Sequence, residues 1–273
     1  MIEPFQKKEE EFFIIEKWNN INSNIVAGFT TKNGGNSIND YYSLNCGFHV
    51  GDELSDVQNN RQQLADKLNF SIDNWVGAEQ THGIQIEKIN EIHRGKGSLN
   101  YSSSFLHTDG LYTDKKNILL TLCFADCVPL YFFAPKLNMI GIAHAGWKGT
   151  VNGIAKEMIE KWKDEKIPLT EIHVVIGPSI CKECYIVDNH VISKVNKWID
   201  STTNLPYKEI TAGQYQLDLR KLNYTVLVKS GISPENISIT KYCTSCDHNE
   251  FFSHRRDSGK TGRMLSFIGL KGD

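Results

Sequence analysis

Ile118-Leu-Leu-Thr-Leu-Cys-Phe124, Leu130-Tyr-Phe-Phe133 and Met139-Ile-Gly-Ile-Ala143 follow one another with short breaks marked by Asp126, Pro129 and Pro135. Each run is apolar and rich in β-branched or aromatic residues, too short for a globular helix, and bounded by residues that interrupt regular structure. They read as buried strands, and His173-Val-Val-Ile176 reads as another. A sheet core is therefore expected.

Helical spacing fills the intervals. Val57, Leu64 and Leu68 share one face of a helix that Ser55 is placed to cap. Arg61 lies on that same stripe, where it either snorkels at the edge or points into a polar pocket. Asn152–Lys163 carries Ile154, Met158, Ile159 and Trp162 on one face, and Asp218–Ser230 is closed by Gly231. Strands and helices alternate irregularly, which predicts a mixed α/β or α+β arrangement. With no repeat, charge block or Pro/Ser linker, residues 1–273 are expected to form one domain.

Composition narrows the partners. The chain has 40% hydrophobic and 10% aromatic residues, ample for a core, and thirty basic residues against thirty-two acidic ones give a formal charge of −2. No basic stripe is present to follow a phosphate backbone, so nucleic acid is not expected as a partner. The longest apolar stretch, Ile118–Ala134, is broken by Asp126 and Pro129 and is too short to span a bilayer. The first residues resemble neither a secretory signal nor an anchor, so a cytoplasmic location is expected, where the seven cysteines serve as packing, ligand or catalytic groups.

Chemistry concentrates at strand ends. Asp126 and Cys127 close one apolar run, His144 closes another before Gly146, and His82 lies in the polar loop Glu79-Gln-Thr-His-Gly83. A thiolate with two imidazoles suits zinc and leaves a fourth position open. Spacing alone fits a packed thiol and two hydrogen-bonded histidines at least as well. The pairs Cys181-Lys-Glu-Cys184 and Cys243-Thr-Ser-Cys246 have the internal spacing of zinc ligands. Their separation far exceeds the roughly 15–20 residues of a compact zinc ribbon, so we read them as separate buried thiols. Phe251-Phe-Ser-His-Arg-Arg-Asp-Ser-Gly-Lys-Thr-Gly-Arg263 fits either a phosphate clamp or a solvated turn with paired arginines.

In order, Gly28-Phe-Thr-Thr-Lys-Asn-Gly-Gly35, Ser43-Leu-Asn-Cys-Gly-Phe-His-Val-Gly-Asp52, Asn60-Arg61, Gln80-Thr-His-Gly83, Asp109-Gly110, Ala125-Asp-Cys-Val-Pro129 and His144-Ala-Gly-Trp-Lys-Gly-Thr150 resemble the YfiH/YlmD-type family. Gly177-Pro-Ser-Ile180, Cys184-Tyr185, Leu217-Asp-Leu219, Cys243-Thr-Ser-Cys246 and Phe251-Phe-Ser-His-Arg-Arg-Asp257 continue the likeness over nearly the whole chain. The family is also called laccase-domain or multicopper polyphenol oxidase proteins and, more recently, purine nucleoside phosphorylases. Lys148 stands where arginine is common in it, and His254 where tyrosine is common.

The resemblance implies an α+β fold of mixed sheets sandwiched between helices, four layers α/β/β/α, similar to cytotoxic necrotizing factor. It implies zinc on His82, Cys127 and His144, with copper as an alternative metal. The implied activity is phosphorolysis of adenosine, inosine, guanosine and methylthioadenosine, with adenosine deamination beside it. The expected ligands are purine nucleosides and phosphate, on a monomer or homodimer. Asp126 is expected to handle protons, Arg61, Lys148, Arg255 and Arg256 to hold phosphate beside the ribosyl carbon, Cys127 to serve catalysis, and Asn45, His49 and Gln80 with the arginine pair to bind substrate. Other readings are a cysteine hydrolase with Cys127 as nucleophile and His144 as base, a factor in peptidoglycan precursor editing, and a copper oxidase. The last needs many imidazoles, commonly as His-x-His pairs, and the nine histidines include none.

Overall fold

A computed structural model describes residues 2–200 and 203–272. Two six-stranded mixed sheets form the centre. The first runs Phe5–Lys7, Phe12–Ile15, Ile25–Thr30, Met264–Leu270, Leu119–Phe124, Trp75–Gly77; the second runs Ile237–Ile239, His173–Ile176, Val128–Ala134, Met139–Ala145, Gly110–Thr113, Ile86–Lys88. A small antiparallel sheet of Ile186–Asp188, Gln214–Leu217 and Tyr207–Thr211 stands apart from both.

Side-chain alternation sets the layers. Leu120, Leu122 and Phe124 of the first sheet pack with Tyr131, Phe133, Ile140 and Ile142 of the second. Their neighbours face outward: Leu119, Leu265 and Phe267 meet Leu64, Ala65 and Leu68 of helix Leu54–Leu68. Leu130, Phe132 and Ala143 meet Met158, Ile159 and Trp162 of helix Ile154–Asp164 and Leu222 and Val226 of helix Leu219–Lys229. Strands covered on both faces have no polar side to show, which is why their sequence is continuously apolar. The order helix, sheet, sheet, helix is the four-layer α+β sandwich expected.

Three local readings are corrected. The first long helix begins at Leu54 with Glu53 before it and no side-chain cap, so Ser55 lies inside the first turn. The helix read from Asn152 to Lys163 begins at Ile154, and Asn152 ends a separate helix Trp147–Asn152, because Gly153 adopts φ +89°, a left-handed conformation that ends one helix and starts the next. The two Cys-x-x-Cys elements are not separate thiols, since their four sulfurs converge. Strands His173–Ile176 and Ile237–Ile239 are parallel neighbours, and the chain leaves both at the same end of the sheet.

Between Phe124 and Val128 the chain passes from the first sheet to the second. The antiparallel register that pairs Val128 with Ala145 and Pro129 with His144 places Cys127 beside His144. The register that pairs Gly110 with Ala143 brings Asp109 to His144 as well, whose N–H donates to the Asp109 carbonyl at 2.7 Å. Strand pairing thus positions much of the site.

Candidate active site

His82, Cys127 and His144 converge, with their ligating atoms within 4.8 Å of one another. Donor separations around a tetrahedral zinc are roughly 3.3–3.8 Å, so modest closure lets this set hold an ion. The histidine rings lie 4.8 Å apart at 72°, and Phe124 packs edge-on against His144 at 5.2 Å. His144 is buried while His82 is exposed, so the site opens outward on the His82 side. A Cβ at Gly146 would fall 2.9 Å from both Cys127 Sγ and His82 Cδ2, so only glycine leaves room for the ligands.

One carboxylate holds two of the three residues. His144 Nδ1 donates to Asp109 Oδ1 at 2.8 Å, which leaves Nε2 for the cavity. The same carboxylate accepts the backbone N–H groups of Thr81, His82 and Gly83 at 3.1, 3.0 and 2.7 Å, fixing the turn in which His82 takes φ +61°. Asp109 is fully buried and its carboxyl is held below the usual range: burial opposes this, but His144 and the amides of Gly83 and Thr81 outweigh it. Burial likewise opposes ionisation of Cys127, yet His144 and His82 bring the thiol down to about 6. Against burial, Cys127 and Asp109 hold His144 up at about 9. Without metal the pair is a thiolate and an imidazolium, and a metal ion would take the place of the shared proton.

Asp109→Asn is expected to weaken binding of an added divalent metal ion by about 10–100-fold, because the amide offers one acceptor oxygen for five donors, the Thr81 hydroxyl included. Competition against a chromophoric chelator measures this. Unchanged affinity would show that the carboxylate does not orient the ligands.

The site lines a cavity of about 410 Å³, within the roughly 300–1,000 Å³ of small-molecule pockets. Of the residues named from the sequence, His49, Gln80, Asp126 and Arg255 line it. The His49 side chain is exposed, but the protein packed around its ring, with Arg263 and Arg61 nearby, draws its imidazole down to about 4. The Gln80 amide is taken up by Cys123, donating to its carbonyl at 2.8 Å and accepting its N–H at 2.7 Å. Asp126, at φ +88°, accepts from Thr244 Oγ1 and the Arg255 N–H, both at 2.7 Å. Arg255 stacks on Tyr185 at 5.1 Å and gives Nη1 to the Ile186 carbonyl. Lys148 borders an adjoining cavity of about 210 Å³ that shares His82, Asp126 and Cys127.

Arg61, Asn45 and Arg256 lie behind this surface instead. Arg61 donates to the carbonyls of Cys46, Gly97 and Ser98 and stacks on Phe48 at 4.3 Å. Asn45 accepts the Arg263 N–H and donates to Asp52. Arg256 spends all five donors on Asp257 and the carbonyls of Thr244, Ser245 and Phe251. Arg263, Tyr185 and His254 also line the cavity; each was quoted within a motif, His254 and Arg263 in Phe251–Arg263 and Tyr185 beside Cys184, but none was assigned a place in the site.

Residues 26–271 match the family described as multi-copper polyphenol oxidoreductase laccase. The chain belongs to this family. Among laccase-domain relatives, purine nucleoside phosphorylase YlmD of Bacillus subtilis is 45% identical over 272 residues, covering 98% of each chain. The Geobacillus stearothermophilus protein of the same name is 47% identical over 247 residues, covering 90% of each. The crystal structure of YlmD from G. stearothermophilus superimposes with a TM-score of 0.96 at 43% identity, over 99% of this chain and 100% of that one. Among the described residues, no helix of this laccase-domain chain is long and apolar enough to cross a membrane.

Proposed function

We propose that the chain is a zinc-dependent purine nucleoside phosphorylase acting on adenosine, inosine, guanosine and methylthioadenosine, with adenosine deamination as a second activity. The observation that carries this reading is that the His82, Cys127 and His144 cluster and Arg255 line one nucleoside-sized cavity, with Lys148 on the adjoining one that shares His82 and Cys127. The YlmD relatives bear the phosphorylase name. A zinc ion would be held by His82, Cys127 and His144 and would supply Lewis-acid chemistry there. Copper fits the same donors less selectively. The two groups of three or more possible ligands among the described residues provide too few imidazoles for a multinuclear copper centre.

In phosphorolysis a phosphate oxygen bonds to the ribosyl C1′, the C1′–N bond breaks, and its electron pair leaves on the purine, which takes up a proton. Arg255 and Lys148 hold the phosphate dianion beside the carbon that becomes cationic. Asp126 and the neutral His49 supply hydrogen bonds to the nucleoside and a route for the proton. Arg61, Arg256, Asn45 and Gln80 keep the surrounding loops in place. In deamination water adds its oxygen to C6 and ammonia leaves.

A second reading has a specific observation behind it. Cys127, His144 and Asp109 stand in the order nucleophile, base, orienting carboxylate, as in a cysteine hydrolase. A nucleoside assay with and without phosphate tests the first reading. Free base released only when phosphate is present supports it, whereas base release that ignores phosphate, or none from any of the four nucleosides, refutes it.

A further inference from the structure

We propose that Cys181, Cys184, Cys243 and Cys246 form a second, structural zinc site that clamps together two segments far apart in sequence. The four sulfurs lie within 4.8 Å of one another, with Cys181 to Cys246 at 3.8 Å and Cys184 to Cys246 at 3.4 Å. Around a zinc with Zn–S bonds of about 2.3 Å, tetrahedral geometry sets the sulfur–sulfur edges at about 3.8 Å. The set is already close to that shape.

The backbone is arranged for ligands. Cys243 Sγ accepts the N–H of Cys246 at 3.4 Å and of Cys181 at 3.2 Å, so amides point at the sulfur from both segments, as outer hydrogen bonds do at metal thiolates. Ser179 pairs with Cys243 as a parallel bridge, and the Thr244 N–H donates to the Ser179 carbonyl at 3.2 Å. These contacts continue the parallel pairing of His173–Ile176 with Ile237–Ile239. The long interval that argues against a compact ribbon in sequence is the small sheet and helix Leu219–Lys229, inserted between two ends that meet. Cys181 and Cys243 are buried, Cys184 half-buried and Cys246 exposed, so a metal there sits near the surface with one side shielded.

The clamp lies behind the cavity. Ile180 and Tyr185, which flank Cys181 and Cys184, line the cavity, and Thr244, between the other two cysteines, donates to Asp126. A zinc ion here therefore holds one wall of the pocket without touching substrate. This inference does not depend on the phosphorylase reading.

The test is a zinc count by elemental analysis on the reduced, full-length protein. Two ions per chain are expected for the parent and one for the double variant Cys184→Ser/Cys246→Ser. In a Cys127→Ser chain loaded with cobalt, the intense thiolate-to-cobalt charge transfer of an all-sulfur site is expected to persist, a readout that needs no serine at the clamp. One ion in both parent and double variant, or no such cobalt signal, overturns the proposal. Thiol titration of protein unfolded and freed of metal without prior reduction then names the alternative. Seven free thiols indicate four unbonded cysteines, and three, the seven less the four, indicate two disulfides.

Discussion

Cys127→Ser is expected to lower kcat/KM for phosphorolysis by about a thousandfold or more and to empty the His82 site of metal, while the fold persists. Serine is close to cysteine in shape, so the turn between Phe124 and Val128 has no reason to move. The hydroxyl, however, does not ionise near pH 7, whereas the Cys127 thiol is drawn down to about 6 against the effect of burial. The change removes the one soft anionic ligand and leaves His144 with only Asp109 as a charged partner. A catalytic metal contributes several kcal/mol of charge stabilisation, and each 1.4 kcal/mol is about a factor of ten in rate. Metal analysis alongside steady-state kinetics measures both effects. A variant that keeps its metal and stays within about tenfold of parental activity contradicts the assignment.

Arg255→Ala is expected to cost about 10²–10³ in kcat/KM for phosphate with little change in thermal stability, whereas Arg256→Ala does the reverse. The two arginines are adjacent in sequence and opposite in use. Arg255 is exposed, leans on Tyr185, and commits only Nη1 to a protein acceptor among the described residues. Its remaining donors are free for an anion in the cavity. Arg256 is tied to three carbonyls and both Asp257 oxygens, so removing it strands acceptors in a partly shielded loop and destabilises the chain by about 2 kcal/mol. Denaturant unfolding and phosphate titrations on both variants separate the effects. Equal kinetic losses in the two would mean that Arg255 acts through the loop, as Arg256 does.

The strands were legible because residues such as Leu120, Phe132 and Ile142 are covered on both faces, which leaves an unbroken apolar run. The stripe Met158, Ile159, Trp162 likewise declared its helix, though Gly153 starts it at Ile154. The grouping of His82, Cys127 and His144 was visible only through ordered motifs. Its closeness comes from the pairing of Pro129 with His144 across two strands, and no sequence spacing records that register. Asp109 was quoted within a motif but given no role, since its work is to reach a residue 35 positions away. Arg61 on an apolar stripe left snorkelling and a polar pocket both open; it is buried, and the stripe does not say whether a guanidinium meets ligand or carbonyls. The cysteine pairs misled for the same reason, because sequence distance is a poor guide where adjacent parallel strands bring their ends together.

The central claim is that phosphate-dependent cleavage of purine nucleosides requires the metal held by His82, Cys127 and His144. The most direct measurement is phosphorolysis by protein stripped with chelator and then refilled with zinc, with occupancy determined at each step. To separate this ion from one at the four cysteines, the titration is repeated on Cys184→Ser/Cys246→Ser. Base release is expected to vanish on stripping, to return in proportion to zinc regained at the triad, and to depend on phosphate throughout. Full activity in metal-free protein, abolished by iodoacetamide, would contradict the claim and identify Cys127 as a nucleophile.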